Sequence, residues 1–268
     1  MTCCRAAIVW LICCLAIAFA AAPVTAANQS YTERNQRLLA EPPSGVSVPG
    51  AAEDRVFSLL NQLRKDKGLP LLRPRGGLRD AARVQSYRML RDNYFSHQDP
   101  DGGNVGERLA AVDRQTLYSA VGENLAKISP PGQDPARTVH DGWVNSPGHY
   151  KNMIADRFSH VGIGCAVQNR ILVCTQVFGK TTGRLLSPLP ARPGPSGRTD
   201  VSASIQGLNY GGWVLLDRRG TERAKGLGTM LKWPTGLSGE HQVRIIGKAQ
   251  RGNRIYLHRF FGPSVVLD

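Results

Sequence analysis

The amino-acid sequence predicts an α+β protein, and three observations carry that prediction. Apolar residues recur at helical spacing through the first half of the chain. At 161–178 two apolar runs flank a short polar turn. After a proline-rich stretch, the remainder reads as short strands separated by Arg/Gly turns. With 268 residues there is room for one large domain or two modest ones, and enough apolar residues for a core.

The chain opens with an export signal. Arg5 supplies a positive start, 6–22 an apolar run, and Val24-Thr25-Ala26 a small-residue cleavage site, so 1–26 is expected to be removed near Ala26. A membrane span is the competing reading, but the apolar run is short and ends in proline. A lipid anchor on Cys13 or Cys14 would lack the small residue that usually precedes it, because Ile12 stands there. Cleavage leaves Cys165 and Cys174 as the cysteines of the exported chain, an even count in an oxidising compartment, extracellular or periplasmic. The formal charge of +14 points to anionic partners: an envelope polymer, a lipid surface or nucleic acid. Export ranks nucleic acid last.

Residues 27–51 are polar and proline-bearing without an apolar period, and are expected to form a flexible arm. Val56, Leu59, Leu60 and Leu63 make the stripe of a first helix from about residue 52, closed by Gly68 and Pro70. After Gly76-Gly77, a second helix to about Asn93 buries Leu78, Ala81, Ala82, Gln85 and Met89. Gln85 is polar and needs an internal partner. Asp99-Pro100-Asp101-Gly102 is a tight turn, with proline presetting φ and glycine taking positive φ, so His97 is held between a helix end and a rigid turn. A short helix follows at 105–112.

The stretch 141–154, DGWVNSPGHYKNMI, is a helix end joined directly to a helix start. Asp134 before Pro135 begins the first of these helices and Ser146 before Pro147 the second. Val139 and Trp143 share a buried face. His149 falls in the first turn of the second helix, where the helix dipole disfavours imidazolium and keeps the ring neutral. At 161–178 a two-residue turn at Asn169-Arg170 would set Gln168 opposite Ile171 and Cys165 opposite Cys174, on a non-hydrogen-bonded pair suited to a disulfide. Two free thiols are the alternative.

The proline-rich segment 184–199 reads as a linker. Beyond it, 200–268 reads as a small basic β-rich module, with strands expected at 201–208, 212–217, 243–247 and 254–261. Over 181–268 there are 13 Lys/Arg against 5 Asp/Glu. Attachment to an anionic envelope polymer or lipid surface is the sharper reading, and a solubilising surface the plainer one. The chain shows no metal spacing, P-loop or nucleophile elbow.

Taken in order, Leu60-Asn61, Gly68-Leu69-Pro70, Phe95-Ser96-His97, Gly122-Glu123-Asn124, Trp143, Ser146-Pro147-Gly148-His149, Asn152, Val161-Gly-Ile-Gly and Thr175-Gln176-Val177-Phe178 resemble a secreted bacterial CAP domain. The CAP superfamily includes cysteine-rich secretory proteins, antigen 5 and pathogenesis-related proteins. The resemblance covers 52–183 and implies an α-β-α sandwich with a His/Glu-lined cavity. His97 matches the first cavity histidine of the family and Glu123 the acid of its Gly-Glu-Asn motif. Ser96, Asn124, Trp143 and Asn152 are supporting positions. Ser146 stands where the eukaryotic pattern has a second acid, and Val173 where it has a second histidine. His149 is the histidine typical of the bacterial branch.

Three functions follow. The first is a non-enzymatic extracellular binding protein that takes a small apolar or peptide ligand at His97, Glu123 and His149. The second is an envelope hydrolase using His97 or His149 as base with Glu123 behind it. Against it, no Ser or Cys has a nucleophile context. In the third, the same residues form a purely structural polar network. No cofactor is expected. His97 and His149 with Glu123 are the groups a divalent metal would use, and the missing second acid and histidine would make its binding weak. His140, His160, His241 and His258 read as surface or strand residues.

Overall fold

The computed structural model describes residues 29–194 and 197–268. The expected leader and its four cysteines, and Pro195 and Ser196 of the expected linker, lie outside the described residues.

Order begins earlier than the sequence suggested. Helix α1 (Tyr31–Ala40) occupies the segment expected to be a flexible arm. Ser30 accepts from the Glu33 amide while Glu33 reaches back to the Ser30 amide, a reciprocal cap that satisfies two orphan donors. Tyr31, Thr32, Asn35 and Leu38 are buried, so tertiary contact holds the helix despite its polar composition.

Next come α2 (Gly50–Asp66), the short β1 (Arg73–Pro74), α3 (Gly76–Arg91) and α4 (Val105–Val112). Strand β2 (Thr116–Ile128) is followed by α5 (Pro135–Val144), α6 (Pro147–Met153), β3 (His160–Gln168) and β4 (Ile171–Leu185). All five residues expected on the inner face of the second helix are buried, and Gln85 finds its partners in the Ser96 carbonyl and the Tyr94 hydroxyl. Asp134 caps α5 through the Arg137 amide, whereas Ser146 starts α6 without a side-chain cap.

These elements form an α-β-α sandwich. One face of the β1-β3-β4-β2 sheet meets α2, α5 and α6 through Val56, Leu60, Trp143, Ile163 and Phe178. The other meets α1, α3 and α4 through Leu38, Val84, Leu78, Leu109 and Val177. The two glycines of β3 have a direct cause. A Cβ on Gly162 would lie 2.0 Å from the Arg79 nitrogen, and one on Gly164 2.2 Å from that of Arg83, so α3 rests its backbone on the strand. Asn169 and Arg170 both take positive φ, the two-residue hairpin turn, and Cys165 pairs with Cys174 in register. The disulfide joins them, with Cα atoms 4.1 Å apart.

The C-terminal part is β-rich, as expected, but the linker before it needs correction, because the sheet joins the two parts. Strand β4 runs on to Leu185, where β6 (Ala203–Ile205) pairs with it. The β5 (Arg198–Asp200) and β9 (Met230–Lys232) strands form a small sheet of their own. Strands β7 (Asn209–Asp217), β8 (Glu222–Gly226), β10 (Gly239–Arg251) and β11 (Arg254–Leu267) continue the main sheet in the order β2-β11-β10-β7-β8. The junction of β2 with β11 is the single pair Tyr118 and Phe261. Leu117 and Leu185 share a core with Leu215, Val243, Ile245 and Phe260, so apolar packing crosses the supposed boundary. The proline-rich segment is pinned over residues 189–191. Leu189 is buried, Arg114 donates to the Leu189 and Pro190 carbonyls, and Val266 donates to that of Ala191. Pro188, Pro190 and Pro193 fix φ along this path rather than leaving the chain free.

Candidate functional site

Beyond Tyr118, strand β2 has β4 on one side and no β11 partner on the other. Its residues 122–124 therefore lie at an open edge, where side chains from both helical layers can meet. Gly122 is required by packing, since a Cβ would sit 2.8 Å from the Phe158 ring. Glu123 then points to one layer and Asn124 to the other.

Glu123 is held at both oxygens. Oε1 lies 2.8 Å from His97 Nδ1, and Oε2 accepts from Arg108 at 2.7 Å. The Glu123 side chain is 3 % exposed and the Arg108 side chain 0 %, whereas the His97 ring is 60 % exposed. Arg108 also donates to the Gly103 and His97 carbonyls and lies 3.6 Å from Asp99. Asp99 accepts from the Tyr31 hydroxyl and from the amides of Asp101 and Gly103. It lies 3.4 Å from Arg88, which also donates to Asp101. The result is a chain of alternating charge, buried from Glu123 through Arg108 and Asp99 to Arg88 and ending at the exposed Asp101, with His97 standing outward at its other end. Burial and the Asp99 carboxylate beside it both push the Tyr31 phenol pKa upward, so the ring remains a donor.

Asn124 donates to the His149 carbonyl at 3.1 Å and to Gln176 Oε1 at 3.0 Å. Asn152 donates to the Glu123 carbonyl and to Asn124 Oδ1. These amides clamp the start of α6 onto β2. Burial, and then the nearby His97, lower the pKa of His149, so its imidazole is biased to the neutral form. The direction agrees with the sequence reading, but desolvation ranks first among the causes. His97 and Glu123 are thus in direct contact, and His149 reaches the same edge from the opposite layer.

The supporting residues divide. Asn124 and Asn152 build the clamp. Trp143 is a core post whose indole donates to the Leu125 carbonyl at 2.9 Å. Ser96 is exposed, and its hydroxyl accepts from the Gln98 amide. His160, His241 and His258 lie in strands, as expected, whereas His140 is buried on the inward stripe of α5 rather than at a surface or strand position.

Sequence reasoning missed Arg108, the residue that fixes Glu123. It also missed a cavity of about 320 Å³ between the α1/α4 side and the C-terminal strands, lined in part by Tyr31, Asn104, Arg218, Glu240 and Arg244. Among the described residues, no group of three His, Cys, Asp or Glu side chains is placed to hold a metal ion. Glu123 already serves Arg108 and His97, so a cation would compete with the guanidinium for its charge.

Residues 57–178 match the family model of the cysteine-rich secretory protein family, CAP. The sandwich and the His97–Glu123 edge lie in this stretch, so residues 57–178 are similar to a CAP domain. The chain is 34 % identical over 156 residues to the protein YkwD of Bacillus subtilis, covering 58 % of this chain and 57 % of that one. It is 31 % identical over 117 residues to the membrane protein YlbC of the same organism, covering 44 % and 32 %. The chain thus spans about half or less of the length of these relatives. Among solved structures, an extracellular SCP-domain protein from Bacillus anthracis is 32 % identical, with a TM-score of 0.42 over 49 % of this chain and 41 % of that one. An outer surface protein of Borrelia burgdorferi is 22 % identical, with a TM-score of 0.43 over 49 % and 93 %.

Proposed function

We propose that this is an exported, envelope-associated binding protein whose His97–Glu123–His149 edge takes a small apolar or peptide ligand without turning it over. The observation that carries this reading is the occupation of both Glu123 oxygens. A carboxylate fixed by a buried arginine and by His97 presents a rigid polar rim rather than a mobile acid or base. Cys165 and Cys174 are bridged, which removes the thiols of the exported chain as nucleophiles. The basic C-terminal strands supply attraction to envelope polyanions.

One observation favours hydrolysis as the second reading. With Nδ1 held by Glu123, His97 keeps Nε2 free on an exposed ring, the geometry of an oriented general base. The two separate in one experiment. The exported protein is incubated with palmitate and with short apolar peptides and esters, then followed by native mass spectrometry. Intact adducts that weaken in His97→Ala and His149→Ala are expected. Cleaved products that vanish in His97→Ala would replace the binding reading with the hydrolytic one.

No resident metal belongs to this proposal. What the edge leaves for zinc is two imidazoles, so calorimetric titration should show weak binding that disappears in His149→Ala. A tight, stoichiometric isotherm would refute that.

A further inference from the structure

We propose that the tip of the β10–β11 hairpin is a membrane-contacting finger that docks on a bilayer bearing anionic phospholipid headgroups. The proposal rests on the envelope-associated reading above and gives it a place and a partner.

Strand β7 accompanies β10 only as far as the pair Asn209 and Lys248. From there β10 and β11 pair only with each other, through Ala249 with Tyr256, Gln250 with Ile255 and Arg251 with Arg254. Every residue over 250–259 is exposed. Three consecutive apolar residues stand there in solvent, Ile255 at 57 %, Tyr256 at 42 % and Leu257 at 64 %. Isolated exposed apolar residues need no explanation, but three at the end of a projecting ribbon form a patch.

Charge around the patch has one sign. Residues 241–267 contain Arg244, Lys248, Arg251, Arg254 and Arg259 and no Asp or Glu. The register sorts them by face. Ile255 and Leu257 share one face with Lys248, Arg259 and Arg244, while Tyr256 shares the other with Arg251 and Arg254. The acid that approaches is Glu222, 3.8 Å from Arg259. Leu227, 85 % exposed, stands at the same end of the sheet, its Cα packed at Gly212, which pairs with Ile246.

An aliphatic pair ringed by cations, with a tyrosine beside it, matches the bilayer interface. Aliphatic side chains enter the acyl boundary, tyrosine sits at headgroup level, and long cationic side chains reach phosphate. A soluble polyanion would engage the cations and leave Ile255 and Leu257 in water. A second copy of the chain would bring the same five cations against these.

The test is co-sedimentation of the exported protein with vesicles of phosphatidylcholine alone, with vesicles that also contain phosphatidylglycerol, and with lipid-free wall polymer. Binding to the phosphatidylglycerol vesicles is expected, falling as salt rises. Each of Lys248→Gln, Arg251→Gln and Arg254→Gln should weaken it about fivefold. Ile255→Asn combined with Leu257→Asn should weaken it about tenfold or more. Arg251, Arg254, Ile255 and Leu257 are exposed and Lys248 is half-buried on a surface strand, so near-ultraviolet circular dichroism should remain that of the wild type. Unchanged vesicle binding in the Ile255/Leu257 variant would overturn the finger. Binding to wall polymer with none to vesicles would also overturn it while leaving the envelope reading intact. Failure to bind either would remove both.

Discussion

On the CAP side of the sheet, Glu53, Arg64, Arg88, Asp99, Arg108 and Glu123 are buried, whereas beyond residue 197 the buried polar side chains are His241 and Ser264 among the described residues. The C-terminal strands enclose instead Trp213, Leu215, Val243, Ile245 and Phe260. One part of a continuous sheet adds directional buried charge pairs to its apolar packing, and the other rests on apolar volume. The difference teaches where precision is needed. A chain of buried charges tolerates one geometry and so fixes the His97 edge, while an apolar core only needs filling. The basic excess of the C-terminal part is consequently free to face outward.

The largest effect should come from breaking the charge chain. Arg108→Met strands Glu123 and Asp99 in the interior and is expected to cost about 3–5 kcal/mol in denaturant unfolding. Ile245→Val in the apolar part should cost only about 1 kcal/mol. Equal midpoints for the two variants would abolish the contrast. Adding Glu123→Gln to Arg108→Met should recover part of the loss, since the unpaired charge is then reduced.

A middle-sized effect tests the hairpin beneath the site. Replacing Cys165 and Cys174 with alanine opens a loop closed across a separation of nine residues and should cost about 2–3 kcal/mol. Mass analysis with and without reductant checks the bridge directly. An unshifted midpoint in the double variant would mean that β3–β4 packing alone sets the register.

The smallest effect is a pH dependence on the CAP side. Burial lowers the proton affinity of His140, His149 and His160, with His97 adding to it at His149 and Arg75 at His160. The unfolded state therefore binds more protons at these residues. Their contribution is fully present above the ordinary histidine pKa, about 6.5, and is lost as pH falls through the lowered folded values. His149→Gln should flatten the acid limb of the stability curve relative to the wild type. Superimposable limbs would remove His149 from the linkage.

Much of the site's scaffold was legible in local sequence. The Asp99–Gly102 turn, the Pro135 and Pro147 helix starts and the Cys165–Cys174 register are each set by residues within a few positions of one another. Arg108 was not legible, because its value lies in Glu123, fifteen residues away, and nothing in the pattern of α4 marks it as inward. The α1 helix was misread even though Ser30 and Glu33 carry the capping-box spacing, since its apolar stripe is only Tyr31 and Leu38. The sheet crossing the proline-rich segment depends on Tyr118 meeting Phe261, a pairing that local composition cannot announce.

The docking of α1 sets an order of assembly. Thr32 meets Ser264 at 2.6 Å and also donates to Glu240, and Arg192 bridges Glu33 to Asp268. Those partners are separated from α1 by most of the chain, so α1 can settle on α3 and α4 through Leu38 and the Tyr31–Asp99 bond while its contacts with β10 and β11 wait for the last strands. The sandwich can close beforehand, because the buried residues of its clusters fall within 38–178. The clasp of the two ends is thus a late, long-range event with a high loop-closure cost.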